Sequence, residues 1–333
     1  MTSLTVDITF AAASLVLIII GCELFTNSVE WFGSKCNLST GACGSVLAAV
    51  GTALPETLVP IVAFVRGGAD ARAIGTGGIL GAPFMLATLA FTVTAIGVLG
   101  FARSGRRGTS DMLVDADVLR HDLGYFIVAY AVAVAASFLH VQVAKYAIAA
   151  ALVVFYGYYV WVHLSDESCI RDECEIAPLR ITPGVPVPRL RFVVAQIAIG
   201  LGFIFVGAHI FVGHLETIAA HLGTSALVLS IIITPIATEL PEKFNSVLWV
   251  RDSKDTLAMG NITGAMVFQS TIPVTIGILA TPWALDKAGL ASAAIALTSS
   301  LLVYAYMRTR GKLSPWALLV GLPLYVVFLL IAF

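Results

Sequence analysis

The stretch Gly51-Thr52-Ala53-Leu54-Pro55-Glu56 returns 186 residues later as Ala237-Thr238-Glu239-Leu240-Pro241-Glu242. Each copy lies inside a long apolar segment, where an ionised acid costs about 2.5–3.5 kcal/mol on insertion scales. A chain that carries this cost twice, at matching places, is expected to use both carboxylates. Thr52 and Thr238 stand four residues before Glu56 and Glu242. That spacing puts hydroxyl and carboxylate on one helix face. Pro55 and Pro241 withhold the N–H that would bond the carbonyls of Gly51 and Ala237. Each copy therefore offers a carboxylate, a hydroxyl and a freed carbonyl, which are hard oxygen ligands suited to a hard cation.

The surrounding composition sets the medium. The chain is 59% hydrophobic and 12% charged over 333 residues, against about 25% charged in soluble domains. Its apolar runs reach about 20 residues, the length of a membrane-crossing helix rather than a barrel strand. The expected fold class is an all-α polytopic membrane protein, with the lipid bilayer as its surroundings. The net charge of −1 points to no partner. No basic patch interleaved with aromatics suggests nucleic acid, and nothing points to a protein partner. No cofactor-binding motif is present. Cys22 and Cys43 sit in apolar segments as small packing residues. Cys169 and Cys174 share a polar loop, but a zinc site would need two more ligands and only His163 is near in sequence.

Ten spans are expected, at roughly Ile8–Trp31, Ala42–Val65, Ala73–Phe101, Leu123–Leu139, Val143–His163, Leu190–His214, Leu222–Val250, Leu257–Ala280, Ala288–Met307 and Trp316–Phe333. The first is too long for a signal segment and reads as a retained helix. The third and seventh are long enough to tilt or to contain breaks. Connections after odd-numbered spans carry 14 Lys and Arg, including Arg103, Arg106, Arg107, Arg308, Arg310 and Lys312. The other side carries only Arg66, Arg72, Lys145 and Lys287. The positive-inside rule then places both termini outside the cell (inner) membrane and the Pro-rich connection 164–189 in the cytoplasm.

The 186-residue offset also pairs Gly21 with Gly207, Phe25 with Phe211 and Glu30 with Glu216. Residues 1–163 and 190–333 thus read as two five-span repeats joined by the linker 164–189. Five is odd, so the second repeat enters the membrane from the opposite side. This is an inverted-topology repeat, whose binding site is expected near the midplane. A second pair of Gly-rich segments follows, Gly77-Gly78-Ile79-Leu80-Gly81-Ala82-Pro83-Phe84-Met85-Leu86 and Gly260-Asn261-Ile262-Thr263-Gly264-Ala265-Met266-Val267-Phe268-Gln269. Their glycines either pack helices closely or serve the site.

A doubled Thr-x-Leu-Pro-Glu, each followed by a Gly-rich span, resembles the sodium/calcium exchanger superfamily of cation antiporters, in a prokaryotic-type form. Gly21-Cys22-Glu23-Leu24-Phe25 and Gly207-Ala208-His209-Ile210-Phe211 are similar to the openings of that family's repeats. The resemblance covers both halves. It implies that Glu56, Glu242, Thr52 and Thr238 are cation ligands. It also shows departures. The family's motif serines become Ala53, Glu239, Ala82 and Ala265, and its terminal Asn or Asp positions become Leu86 and Gln269. Glu239 stands three residues from Glu242, close to the same face, where it either adds a carboxylate to the site or is a helix-end acid facing water. Lys243 either joins the site or snorkels. Glu30 and Glu216 read as solvated acids and His209 as a packed histidine. Tyr125, Trp161 and Trp316 suit an aromatic belt.

The expected function is secondary cation antiport, not enzymatic catalysis. The metal-ligating set is Glu56, Glu242, Thr52, Thr238, Glu239 and Gln269. The resemblance implies Ca²⁺ as the exported ion, with Na⁺ or H⁺ as counter-ion. Two rivals come from other classes. One is a non-transporting or regulatory relic of the fold, given the lost polar ligands. The other is a membrane-embedded hydrolase using the paired acids, which no His-Glu-x-x-His or nucleophile motif supports.

Overall fold

The computed structural model describes residues 3–35, 48–165 and 177–333, apart from the side chains at 30, 33, 48–55, 164–165, 237 and 240–245. The start of the second span at Ala42, Cys43, the Cys169/Cys174 pair, and the side chains of Glu30, Thr52, Glu242 and Lys243 lie outside the described residues. All described regular structure is helical. The first half holds α1 (Leu4–Lys35), α2 (Ala48–Arg66), α3 (Ala69–Met85), α4 (Phe91–Arg103), α5 (Ala116–Ala135) and α6 (Gln142–Ser165). The second holds α7 (Leu190–Leu222), α8 (Ala226–Arg251), α9 (Asp255–Gln269), α10 (Ile272–Ala280), α11 (Lys287–Arg310), α12 (Pro315–Leu318) and α13 (Gly321–Ala332). Among the described residues, 8 helical segments are long and apolar enough to cross a membrane.

Two expectations about the spans need correction. The sixth span does not stop at His214, and the seventh does not begin at Leu222. α7 runs through Leu222 because its stop is Gly223, at φ 63°, a left-handed cap that glycine adopts without a Cβ penalty. The seventh span, expected to be long enough for a break, runs continuously as α8 from Ala226 to Arg251. Breaks fall in the third, as its length allowed, and in the eighth. A π-turn over Leu86–Ala90 follows Pro83 and joins α3 to α4. Ser270 and Thr271 separate α9 from α10, which carries Pro273 in its first turn. Leu86 and Gln269 are partners across the Gly-rich repeat, both 183 residues apart like Gly77 and Gly260. The two discontinuities therefore occupy equivalent places in the two halves.

The inverted relation of the halves is visible where α1 crosses α7. A Cβ on Gly21 would lie 2.9 Å from the Gly200 carbonyl oxygen and the Ile204 nitrogen. A Cβ on Gly207 would lie 2.7 Å from Ile18 and 3.0 Å from the Ser14 carbonyl. Shifting Gly21, Ile18 and Ser14 by 186 gives Gly207, Ile204 and Gly200, so the contact set maps onto itself. A higher number on α1 meets a lower one on α7, so the helices run antiparallel. Ile18, Phe25, Ile204 and Phe211 fill the same seam. α3 packs as closely on α8. A Cβ on Gly77 would reach 2.6 Å from the Leu227 carbonyl, and one on Gly81 2.5 Å from that of Ile231. These glycines serve helix packing.

Cross-contacts sort the connections into two faces. Arg107, after α4, and Asp255, at the start of α9, form a two-pronged ion pair with both side chains fully buried. Asn27 and Trp31 of α1 both donate to the Ala177 carbonyl, after α6, at 3.0 and 2.9 Å. On the opposite face Arg66 pairs with Glu216 at 3.6 Å, and the Lys145 ammonium reaches the Trp283 carbonyl at 3.4 Å. Glu216, read as a solvated acid, is thus partly neutralised. His209 is exposed rather than packed. Trp161 and Trp316 are exposed as an aromatic belt requires. Tyr125 is half-buried and packs among Phe155, Tyr158 and Tyr159.

Arg107 also donates to the carbonyls of Val250 at 2.8 Å, Thr109 at 2.7 Å and Asp111 at 2.6 Å. Removing one partner of such a pair strands a buried charge, which costs about 3–5 kcal/mol, whereas an apolar replacement of both is often near neutral. Arg107→Met is expected to lower the unfolding temperature sharply, and adding Asp255→Leu to recover most of the loss. Equal stability of the single and double variants in a thermal-unfolding assay would contradict this.

Candidate cation site

α2, α8 and α9 converge in the middle of the bundle, and each brings polar atoms into an apolar setting. Glu56 on α2 is 4% exposed, Glu239 on α8 0% and Gln269 at the end of α9 1%. The Gln269 amide joins the other two. Its Nε2 donates to Glu56 Oε2 at 3.1 Å and to Glu239 Oε1 at 2.9 Å. An amide nitrogen has two hydrogens, so each carboxylate receives one. Two oxygens that share one nitrogen lie at most about 6 Å apart, a range in which like charges oppose each other's ionisation. The amide is neutral, so it bonds both acids without cancelling their charge.

The amide orientation leaves Gln269 Oε1 buried with no hydrogen-bond partner among the described residues. Pro273 also has no N–H to give to the Gln269 carbonyl four residues earlier. The break between α9 and α10 thus concentrates oxygen at this point. Thr271 closes part of it by donating to Val267 or Phe268 at 2.9 Å. Thr238 is 3% exposed. Its hydroxyl donates back to the Thr234 carbonyl at 3.2 Å, which leaves its oxygen able to accept or ligate. The backbones of α2 and α8 pass through Thr52 and Glu242, whose side chains lie outside the described residues.

Of the six candidate ligands, the structure brings Glu56, Glu239 and Gln269 into direct contact, with Thr238 adjacent to Glu239 on α8. The sequence reading left open whether Glu239 faces water, and the described side chain is buried. It overlooked a hydroxyl seam above Thr238. Ser230 donates to the Ile74 carbonyl at 2.7 Å and shares a 2.9 Å bond with Thr234. The signal was present as Ser230, Thr234 and Thr238 at steps of four. Among the described residues no group of three His, Cys, Asp or Glu forms a ready metal cage. The oxygens here come from two acids, an amide and a hydroxyl on crossed helices.

Buried carboxylates from both inverted halves, meeting beside broken helices, define a secondary active cation transporter of the exchanger fold. The family model for the sodium/calcium exchanger protein matches residues 7–164 and 192–333, and the chain belongs to that family. It is 25% identical over 309 residues to the putative antiporter CaxA of Alkalimonas amylolytica, covering 91% of this chain and 90% of that protein. Its fold superposes on the H⁺/Ca²⁺ exchanger CAX with a TM-score of 0.77 at 20% identity, over 97% of this chain and 82% of that one. The sodium–calcium exchanger NCX_Mj gives 0.60 at 20% identity, over 98% of each chain. Membership of a transporter family sets the hydrolase reading aside.

Proposed function

We propose that the chain exchanges Ca²⁺ for H⁺ across the cell membrane through a site built from Glu56, Glu239 and Gln269, with Thr238, Thr52 and Glu242 completing it. The observation that carries this reading is the Gln269 amide, which bonds one acid from each repeat. Its hydrogens occupy the carboxylate lone pairs that a cation would use. Cation binding therefore displaces the amide and can turn Oε1 toward the ion. Protons compete for the same carboxylates, so exchange follows from mutual exclusion. Two like charges this close favour a bound proton when the cation leaves, which supports H⁺ over Na⁺ as the counter-ion. CAX, whose described activity is H⁺/Ca²⁺ exchange, is among the folds most similar to this one.

The two repeats are residues 1–163 and 190–333, with 164–189 as the cytoplasmic linker and both termini outside. The face that gathers Arg103, Arg106, Arg180, Arg308, Arg310 and Lys312 supports this orientation. The testing experiment is Ca²⁺ flux in sealed vesicles with H⁺ and Na⁺ gradients imposed separately. A proton gradient alone should drive uptake. Uptake driven only by Na⁺ would overturn the coupling ion, and neither flux nor cation-dependent thermal stabilisation would favour the relic.

A further inference from the structure

Another buried acid lies where α5, α6 and α9 meet, apart from the cation site. Asp122 on α5 is 2% exposed. Its Oδ1 accepts from the Tyr159 hydroxyl at 3.0 Å and faces His163 Nε2 at 3.2 Å. Its Oδ2 accepts from the Thr263 hydroxyl at 2.6 Å. His163 Nδ1 lies 3.3 Å from the Tyr159 carbonyl. Both ring nitrogens of His163 thus face acceptors. A neutral imidazole carries one N–H and donates to one of them, whereas the imidazolium donates to both. The His163 side chain is 25% exposed, while Thr263 and Tyr159 are buried. The cluster therefore meets solvent at His163, near the end of α6.

Two links run from this cluster toward Gln269. Thr263 precedes Gln269 by six residues on α9, about 9 Å along the axis. The rings of Tyr159, Tyr156 and Phe268 also form a chain, with centroids 6.0 and 5.5 Å apart. Among the described residues the other half shows no such cluster at the matching place. Leu80 stands at the repeat position of Thr263, fully buried, and its Cδ1 would lie 3.0 Å from a Cβ on Gly289 of α11. An apolar contact thus serves the same junction, so packing alone does not call for a buried acid. Other titratable groups near the cluster are Tyr125 against Tyr159, Tyr304 of α11 beside Gly124, and the exposed His121. Arg120 is paired with Asp117, and Asp255 with Arg107.

We propose that Asp122, Tyr159 and His163 form a proton-operated clamp on Thr263 that positions α9, and with it the Gln269 amide, according to pH on the face where α6 ends. It rests on Gln269 belonging to the transport site. With His163 doubly protonated the charges cancel and every contact is made. Loss of that proton leaves one N–H for two acceptors and only neutral donors around Asp122, which weakens the tie between α5 and α6. Changed support under Thr263 then shifts α9. All four are positioning residues that act through the helix.

The test reads α9 directly. Amide hydrogen exchange over residues 255–269 is measured in the full chain in lipid nanodiscs, for wild type and His163→Gln, each at about pH 5.5 and 8, which bracket imidazole titration. Comparison at equal pH cancels intrinsic rates. Wild type should exchange about five-fold more slowly than the variant at the lower pH, a typical coupling size, and match it at the higher one. Thr263→Ser should behave as wild type and Thr263→Val as His163→Gln. In vesicles, the cation affinity of wild type should vary more steeply with pH on that face than that of His163→Gln, which keeps only the proton competition at the site carboxylates. If α9 in His163→Gln tracks wild type at both pH values, the clamp is wrong. If α9 responds but wild type carries no flux, the clamp stands and the transport reading fails.

Discussion

Glu56→Gln abolishes cation exchange and leaves the protein folded, if the acid pair holds the ion. The substitution keeps volume and hydrogen-bonding capacity, and Gln269 still finds an oxygen to bond at 3.1 Å. What disappears is a full negative charge at a site 4% exposed, where water supplies little screening. Loss of about 3 kcal/mol of attraction for a divalent ion is at least a 100-fold loss of affinity. The neutral variant should also lose cation-dependent thermal stabilisation while unfolding at or above the temperature of ion-free wild type, because burying an amide costs less than burying a carboxylate. The same is expected of Glu242→Gln, whose place one turn along α8 from Glu239 puts it at similar depth. Exchange within two-fold of wild type in either variant would remove these acids from the mechanism.

The parts of this architecture that sequence revealed are those with a local or periodic signature. Apolar runs of about 20 residues mark helices because lipid leaves the backbone no other partner. The 186-residue offset marked the inverted halves, and the antiparallel crossing of Gly21 and Gly207 displays the same symmetry. Partnerships between distant residues had no such signature. Arg107 looked like one more loop cation, yet its side chain is fully buried against Asp255, 148 residues away. Asp122 looked like the end of a polar connection, yet Thr263 reaches it from 141 residues away. Neither pair obeys the repeat offset, so symmetry could not find them. Pro83 and Pro273 were legible as breakers, but span length pointed to the third and seventh helices and passed over the eighth. In the seventh, Pro235 and Pro241 are carried within a continuous helix, so proline alone did not decide where the chain breaks.

Glu239 and Gln269 carry the chemistry that distinguishes this chain from the family pattern, and a paired substitution separates their roles. The family's acid at the end of the second Gly-rich span is Gln269 here, while Glu239 takes the place of a motif serine. The two meet at 2.9 Å, so one negative charge has in effect moved from α9 to α8 across a single hydrogen bond. Glu239→Ser removes that charge and leaves Gln269 holding Glu56 alone. Ca²⁺ needs about 6–8 oxygens, and losing a carboxylate should weaken apparent affinity by about ten-fold or more, the equivalent of 1.4 kcal/mol. One like charge fewer also weakens proton competition at the remaining acids, so the activity profile of Glu239→Ser should extend to lower pH. Adding Gln269→Asp returns a carboxylate beside Glu56 and should recover affinity. Because the restored acid sits where the family pattern has one, the double variant should also respond more strongly to Na⁺. Gln269→Asp in the presence of Glu239 sets three acids together without the bridging amide. That variant should bind protons more tightly than wild type and transport only at higher pH. Measuring Ca²⁺ flux against pH for the four proteins decides the matter. If Glu239→Ser leaves both affinity and profile unchanged, the displaced charge plays no part in ion binding, and the extra carboxylate is only a tether for the Gln269 amide.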